Sequence, residues 1–409
     1  MSGKENRIFT ERAHLMCPRM CFGIVMSIDS AFETGRLQKT FGQAARNHPF
    51  LRAVLGYDEA DNSYYYDVTE SSMADLRMSD DELTGVDDPK LIAEYDRLTC
   101  YDWDIRTEGL LKAVAWKMQD KTAILLVFHH LIADGRGALE LATEIADAYK
   151  DGTVHEPVSE KLISSADEFP AVSELPFMSR ILVDKANRDW NKEGNKPLSY
   201  QEYHEYADNF VKNDKVKVSV NRTSPEDLDQ MLSDCKAHSV TLNDLLMAKM
   251  YKEDKTGKII IAKDLRGELP CYQKGALGNY STAFSIELKK TDRDLWELAQ
   301  EVHKKVQKTL SDPKSMYLVL QCYARLEPAV LDAAFMAAKG GFNSKSASFI
   351  GKVFFAMDEP KGYSITNLGK IESNSITSAY FIPPASPAIK KTAGILTVNG
   401  EMITCVSER

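Results

Sequence analysis

Thr122-Ala123-Ile124-Leu125-Leu126-Val127-Phe128-His129-His130-Leu131-Ile132-Ala133-Asp134-Gly135, continued by a helical pattern to Tyr149, is the stretch on which the reading of this chain turns. Six consecutive apolar residues, Ala123 to Phe128, suit a strand covered on both faces. Neighbouring strand residues point to opposite faces, so His129 and His130 serve different environments and only one can face a given cleft. Taken alone, the pair also fits one core imidazole and one surface imidazole. Asp134 places a carboxylate where the next helix begins, which by itself reads as an N-cap, and Gly135 is expected to permit a tight turn with positive φ. From Ala138 onward, Leu139, Ala142, Ile145, Ala146 and Tyr149 fall on one helical face. A metal site built from His129, His130 and Asp134 is disfavoured, because the pleat separates adjacent side chains.

Working outward, Cys21 to Ile28 has the length and apolarity of a strand, Leu37 to Arg46 a helical pattern closed by His48-Pro49, and Leu51 to Tyr57 and Tyr64 to Val68 the look of strands. A polar, acidic stretch from Met73 to Asp88 precedes two more strands, Leu110 to Lys117 and Thr122 to His129. Between Lys150 and Asp214 the periodicity weakens, as in a crossing segment with some helix. Beyond it the pattern predicts helices at Leu228 to Ala237, Thr241 to Lys252 and Leu295 to Leu310. Strands are predicted at Ile259 to Ala262, Tyr280 to Leu288, Ser348 to Ala356, Gly362 to Thr366, Ser375 to Ile382, Gly394 to Val398 and Met402 to Val406, with Asn399-Gly400 a hairpin turn. The expected organisation is α/β with mixed sheets: a first lobe over 1–150, a connecting segment over 151–214 and a second lobe over 215–409. Ligand sites often lie between such halves.

The totals exclude several classes. With 409 residues, the chain exceeds the length at which one core usually stops growing, and 44% hydrophobic with 27% charged residues is ordinary globular usage. A net charge of -9 opposes nucleic acid and anionic membranes as partners, because both are held by clustered Lys and Arg. No apolar run approaches the roughly 20 residues needed to cross a bilayer, and Met1 to Arg7 lacks a signal peptide's apolar stretch, so a cytoplasmic location is expected. Seven scattered cysteines make no disulfide framework, and Cys17 and Cys21 lack a second pair to complete a zinc site. The chain carries no G-x-S-x-G elbow, G-x-x-x-x-G-K-[ST] loop or G-x-G-x-x-G fingerprint, which weakens hydrolase, P-loop and dinucleotide readings.

His129-His130-Leu131-Ile132-Ala133-Asp134-Gly135 matches the H-H-x-x-x-D-G signature of the superfamily that holds chloramphenicol acetyltransferase, nonribosomal peptide synthetase condensation domains, and alcohol and polyketide-associated acyltransferases, and the chain resembles that superfamily more widely. Asn47-His48-Pro49-Phe50-Leu51-Arg52 resembles its early H-P-x-L-R segment. Tyr101-Asp102-Trp103-Asp104 with Gly109-Leu110-Leu111-Lys112 resembles the approach to its catalytic strand. Val240-Thr241-Leu242-Asn243-Asp244, Asp264-Leu265-Arg266, Leu277-Gly278-Asn279 and Thr366-Asn367-Leu368-Gly369 follow in the family's order. Departures are Gly137 where the family commonly has Ser, Lys112 where it often has Arg, and the absence of the plant branch's D-F-G-W-G.

The resemblance implies a V-shaped pair of chloramphenicol-acetyltransferase-like lobes with an active-site channel between them and the second motif histidine in its middle. His130 is then the general base for an acceptor hydroxyl or amine, a task that an imidazole pKa near about 6.5 suits. The family uses its motif Asp mainly as structure, paired with an Arg, and Arg266 is the candidate partner of Asp134; an exposed Arg after a strand is its other reading. Thr366 and Asn367 are expected to line the channel and help hold the thioester carbonyl, or Asn367 to cap a loop. Lys249, Lys252, Lys255 and Lys258 read as a solvated helix face more readily than as a phosphate stripe. The expected donor is acyl-coenzyme A as co-substrate, with no bound cofactor, acting on a small-molecule acceptor in a monomer. The alternatives are a condensation-like enzyme taking its acyl group from a carrier protein, and a silent binding module of the same fold. Because the two halves use nearly the whole chain, any donor is expected to arrive in trans.

Overall fold

A computed structural model describes residues 6–60, 62–194 and 196–409, so the reading of the first five residues lies outside the described residues. Its first sheet is built around the apolar run that the sequence singles out. Helix α1 (Arg12–Leu15) leads into β1 (Cys21–Ile28), α2 (Thr34–Asn47), the hairpin β2 (Ala53–Asp58) and β3 (Ser63–Val68), β4 (Asp75–Glu82) and α3 (Pro89–Thr99). Strands β5 (Leu111–Met118) and β6 (Lys121–His129) and helix α4 (Gly135–Asp151) complete this lobe. Every residue of β1 after Cys21 is buried, as a strand in the middle of a covered sheet requires. On one face Gly23 leaves room for the Tyr95 ring of α3, and on the other Phe22 lies edge-on to His130.

The sheet order is β11-β1-β6-β5-β4, and β11 (Ile376–Ile382) comes from near the far end of the chain. It pairs antiparallel with β1, Ile24 against Phe381 and Val25 against Tyr380, so the second lobe lends a strand to the first. The acidic stretch before α3 supplies β4, an edge strand whose mostly exposed residues need no apolar pattern.

Residues 151–214 hold α5 (Phe177–Glu193) and α6 (Tyr200–Asn213), whose Trp190 and Tyr203 join the main core. There follow β7 (Lys217–Thr223), α7 (Pro225–Ala237), α8 (Leu242–Glu253), β8 (Lys258–Asp264), β9 (Ser281–Glu287) and α9 (Leu295–Leu310). The short α10 (Pro313–Met316) and α11 (Leu318–Arg325) lead to α12 (Pro328–Ala338) and α13 (Lys345–Phe349), and the chain ends in β10 (Gly362–Ile371), β11, β12 (Ile389–Val398) and β13 (Glu401–Glu408). The second sheet has the order β7-β13-β12-β10-β8-β9. Asn399 and Gly400, with φ of 50° and 90°, make the two-residue turn between β12 and β13 that their sequence predicts.

Strand alternation gives this sheet two unlike faces. Ile259, Ile261, Phe284, Ile286 and Ile365 pack into a core with α8 and α9, while Ile260, Ala262, Ala283, Ser285, Ser364 and Thr366 face a cavity. The strand expected at Ser348 to Ala356 is instead the end of α13 and a π-helical turn, Ile350–Phe354. Ser344 caps α13 by accepting from the Ala347 amide, and a Cβ on Gly351 would lie 2.2 Å from the Ala334 carbonyl oxygen, so this segment is a helix pressed onto α12. A short apolar run does not distinguish a buried strand from a buried helix. Among the described residues, no helix is long and apolar enough to cross a membrane.

Candidate active site between the lobes

Where β6 ends, the pleat sends the two histidines to different places. His129 is buried, its Nδ1 accepts the Leu131 amide at 3.3 Å, and burial, helped by His130, pushes its pKa down to about 3. His130 faces the cavity, with its amide bonded to the Met20 carbonyl at 2.7 Å. Its Nδ1 lies 2.9 Å from Oδ1 of Asn279. The Asn279 amide nitrogen donates to the carbonyls of His130 and Leu131 at 2.8 and 3.0 Å, so the side chain presents only its oxygen to the imidazole. The Nδ1 of His130 must therefore carry the proton, which leaves Nε2 with a free lone pair. Burial lowers the pKa of His130 against smaller opposing effects of its own backbone, Asp134 and Asn279, so the ring is neutral near pH 7. His14 stacks on that ring with centroids 4.2 Å apart.

Asp134 caps α4 by accepting the Gly137 amide at 2.9 Å, and the same carboxylate accepts from Tyr280 N at 2.9 Å. Arg266 completes its shell with Nη2 at 2.8 Å and Nη1 at 3.0 Å, a bidentate pair whose side chains are 5% and 7% exposed. Burial opposes the charge on Arg266, yet Asp134 outweighs it and the guanidinium pKa ends raised. The reading of Arg266 as an exposed residue is thus corrected. No bond links Asp134 to the His130 imidazole among the described residues, so the carboxylate shapes the loop and joins α4 to the end of β8.

Gly135 has no positive φ, contrary to expectation. A Cβ there would lie 2.7 Å from Leu368 Cδ2, so a larger residue would displace that side chain. A Cβ on Gly137 would lie 3.0 Å from Nη2 of Arg266 and 3.5 Å from the Gly278 carbonyl oxygen, so a small residue lets the ion pair close beneath it.

The cavity holding His130 has a volume of about 880 Å³ and is lined from both lobes. Its floor is the small-residue face of the second sheet, and its apolar wall includes Leu318, Tyr323, Phe354 and Met357. Thr366 and Asn367 both line it. The Asn367 side chain is engaged elsewhere, donating to Asn243 Oδ1 at 2.9 Å and accepting the Gly369 amide at 2.8 Å, which is a loop-bracing arrangement. Of the four lysines in the stripe, Lys258 lines the cavity, whereas Lys252 bonds the Arg293 carbonyl and Lys255 occupies a turn with φ of 51°. His48 is not among the residues lining the cavity and is buried between Glu160 at 2.8 Å and Glu144 at 3.0 Å; burial opposes its charge, but hydrogen bonds to the two carboxylates, helped by their charge, push its pKa up to about 9. His14 and Asn279 are the site residues that sequence reasoning missed, the first because nothing local marks it and the second because it was only a landmark.

The fold is the two-lobed chloramphenicol-acetyltransferase-like one, as its structural neighbours show. The condensation domain of the Monacolin K polyketide synthase MokA superposes with a TM-score of 0.59 at 12% identity, covering 99% of this chain and 92% of that one. Polyketide synthase associated protein 5 from Mycobacterium tuberculosis gives 0.56 at 14% identity, covering 99% and 93%. The family model for the condensation domain matches residues 21–251, and the chain belongs to that family. The family catalyses acyl and peptidyl transfer. Bacitracin synthase 2 of Bacillus licheniformis is 22% identical over 59% of this chain and 9% of its own length, and the chain spans under a tenth of the curated relatives it matches.

Proposed function

We propose that this chain transfers an acyl or peptidyl group from a thioester to an acceptor amine or hydroxyl, with Nε2 of His130 as general base. The observation that supports it is the hydrogen-bonding of Asn279, which leaves that nitrogen unprotonated at a cavity lined by both lobes. As the acceptor attacks the thioester carbonyl, its proton passes to Nε2 and a C–N or C–O bond forms. The tetrahedral intermediate collapses with loss of the C–S bond, and the imidazolium returns the proton to the departing thiolate. The depressed pKa of His130 favours that return. Thr366, on the cavity floor, is the candidate donor to the developing oxyanion. Asp134 and Arg266 hold the loop that places His130.

Family membership favours a carrier-protein thioester as donor over the free acyl-coenzyme A expected from sequence, because condensation domains work on carrier-tethered groups. Purified protein is to be incubated with an acylated carrier protein or with acyl-coenzyme A, each with a panel of amines and alcohols, and thiol release and product followed. Product from the carrier-bound donor is the expected result. Product from coenzyme A alone overturns the donor assignment, and product from neither, across the panel, overturns the transfer reading.

A further inference from the structure

The ring stacked on the proposed base is itself an imidazole. His14 lies at 4.2 Å centroid separation and 22° from parallel with His130, and both rings line the same cavity. Its place is built. Helix α1 is only one turn long, yet Arg12 and Leu15 on either side of His14 are buried, and Arg12 makes a bidentate pair with Asp332 of α12 at 2.8 and 2.6 Å. The Arg12 guanidinium also lies over the Tyr64 ring of β3. A backbone anchored this way delivers residue 14 to a fixed point.

Asn279 holds His130 through a single atom, and because a hydrogen bond tolerates bending, one bond at Nδ1 limits χ2, for histidine a broad, soft torsion, without fixing it. The remaining freedom is closed by two rings: Phe22, edge-on at 5.1 Å, and His14, face-on. Among the described residues no protein hydrogen bond engages a ring nitrogen of His14, so what this ring gives its neighbour is its face. Burial, followed by the proximity of His130 and His129, holds the His14 pKa well below the ordinary value. A neutral ring can lie against the base without charge repulsion.

We propose that His14 is a positioning residue for the transfer reaction, its ring face fixing the plane of His130 so that Nε2 stays directed into the cavity. The inference rests on the general-base reading of His130 for its consequence in turnover, but its physical content is the immobilisation of one ring by another. His14→Leu removes the flat face at similar bulk, and His14→Phe restores a flat face without nitrogen. Turnover with acylated carrier protein should show kcat lowered about 10- to 100-fold in His14→Leu with KM little changed, since a small misplacement of a catalytic group costs on that scale. His14→Phe should recover most of the loss.

A readout independent of turnover is nitrogen NMR of ¹⁵N-histidine-labelled protein, with His130→Ala used to assign the base. The Nδ1–H tautomer of His130, set by Asn279, should hold in all three proteins, while its ring nitrogens give narrow signals in the wild type and His14→Phe and signals broadened by ring motion in His14→Leu. Unchanged His130 signals and unchanged kcat in a folded His14→Leu variant overturn the proposal. So does a folded His14→Phe variant as impaired as His14→Leu. Wild-type turnover in His130→Ala counts against the general-base reading alone, and the NMR comparison then still decides whether His14 fixes the ring.

Discussion

Replacing Arg266 by Met removes two of the four hydrogen bonds to the Asp134 carboxylate and leaves a buried charge held by the amides of Gly137 and Tyr280. Breaking one side of such a pair costs roughly 3 to 5 kcal/mol. Asp134→Ala leaves Arg266 with Asp264, at 3.2 Å and half exposed, as its remaining charged partner, and removes the α4 N-cap, itself about 1 kcal/mol. It should fall in the same range. The double variant buries neither charge, so its loss should be smaller than the two single losses together by at least about 2 kcal/mol. Urea unfolding followed by tryptophan fluorescence measures all three, with hydrogen exchange at the Gly137 and Tyr280 amides reporting locally. Single losses that add to within about 0.5 kcal/mol would refute the coupling, and with it the claim that this pair joins α4 to β8.

His130→Ala should lower turnover about 100- to 10,000-fold while far-UV circular dichroism stays unchanged, because the residue lies at a strand exit facing the cavity. Since desolvation depresses the His130 pKa, the acid limb of the pH–kcat/KM profile should fall below the ordinary imidazole value of about 6.5; a limb above it contradicts the neutral base. His129→Ala should act on stability, on the order of 2 kcal/mol or more by urea unfolding, because the ring fills a buried site beside Trp103. For His48 the folded pKa, about 9, lies above the unfolded value of about 6.5, so its contribution is complete below about 6.5 and is lost as pH rises through about 9. That amounts to about 3 kcal/mol, seen as a stability advantage of wild type over His48→Gln at pH 6 that shrinks at pH 9.5.

What could be read from sequence was what is local. The run from Ala123 to Phe128, the split of His129 from His130 and the cap at Asp134 depend on neighbours within one strand and one turn. Asn399-Gly400 needs only its own two dihedrals. Arg266 was reached through a motif and a resemblance, since no periodicity connects residue 266 to residue 134. Asn279 and His14 act on His130 from distant sequence positions, and a tautomer or a ring plane set across such a gap leaves no local trace. Other losses are of a different kind. Helix α12 went unread because Ala329 to Ala338 are all buried, so it has no polar face to make a period, and β4 because an exposed edge tolerates an acidic sequence. The positive φ expected of Gly135 failed because the extended backbone of Asp134 makes the turn as the N-cap, and Gly135 is already the first residue of α4.

The strand that β11 lends to the first sheet carries a consequence for biogenesis. During vectorial synthesis the outer edge of β1 emerges early, with its hydrogen-bonding groups unpaired, and its partner is made only when residues 376–382 leave the ribosome. At cellular elongation rates that interval is on the order of tens of seconds. An apolar strand such as Phe22 to Ile28 left open for that time is a template for pairing between nascent chains. The topology therefore makes folding of the first lobe a high-contact-order event that waits on the second, and a burden for chaperones on nascent chains that present the edge of β1.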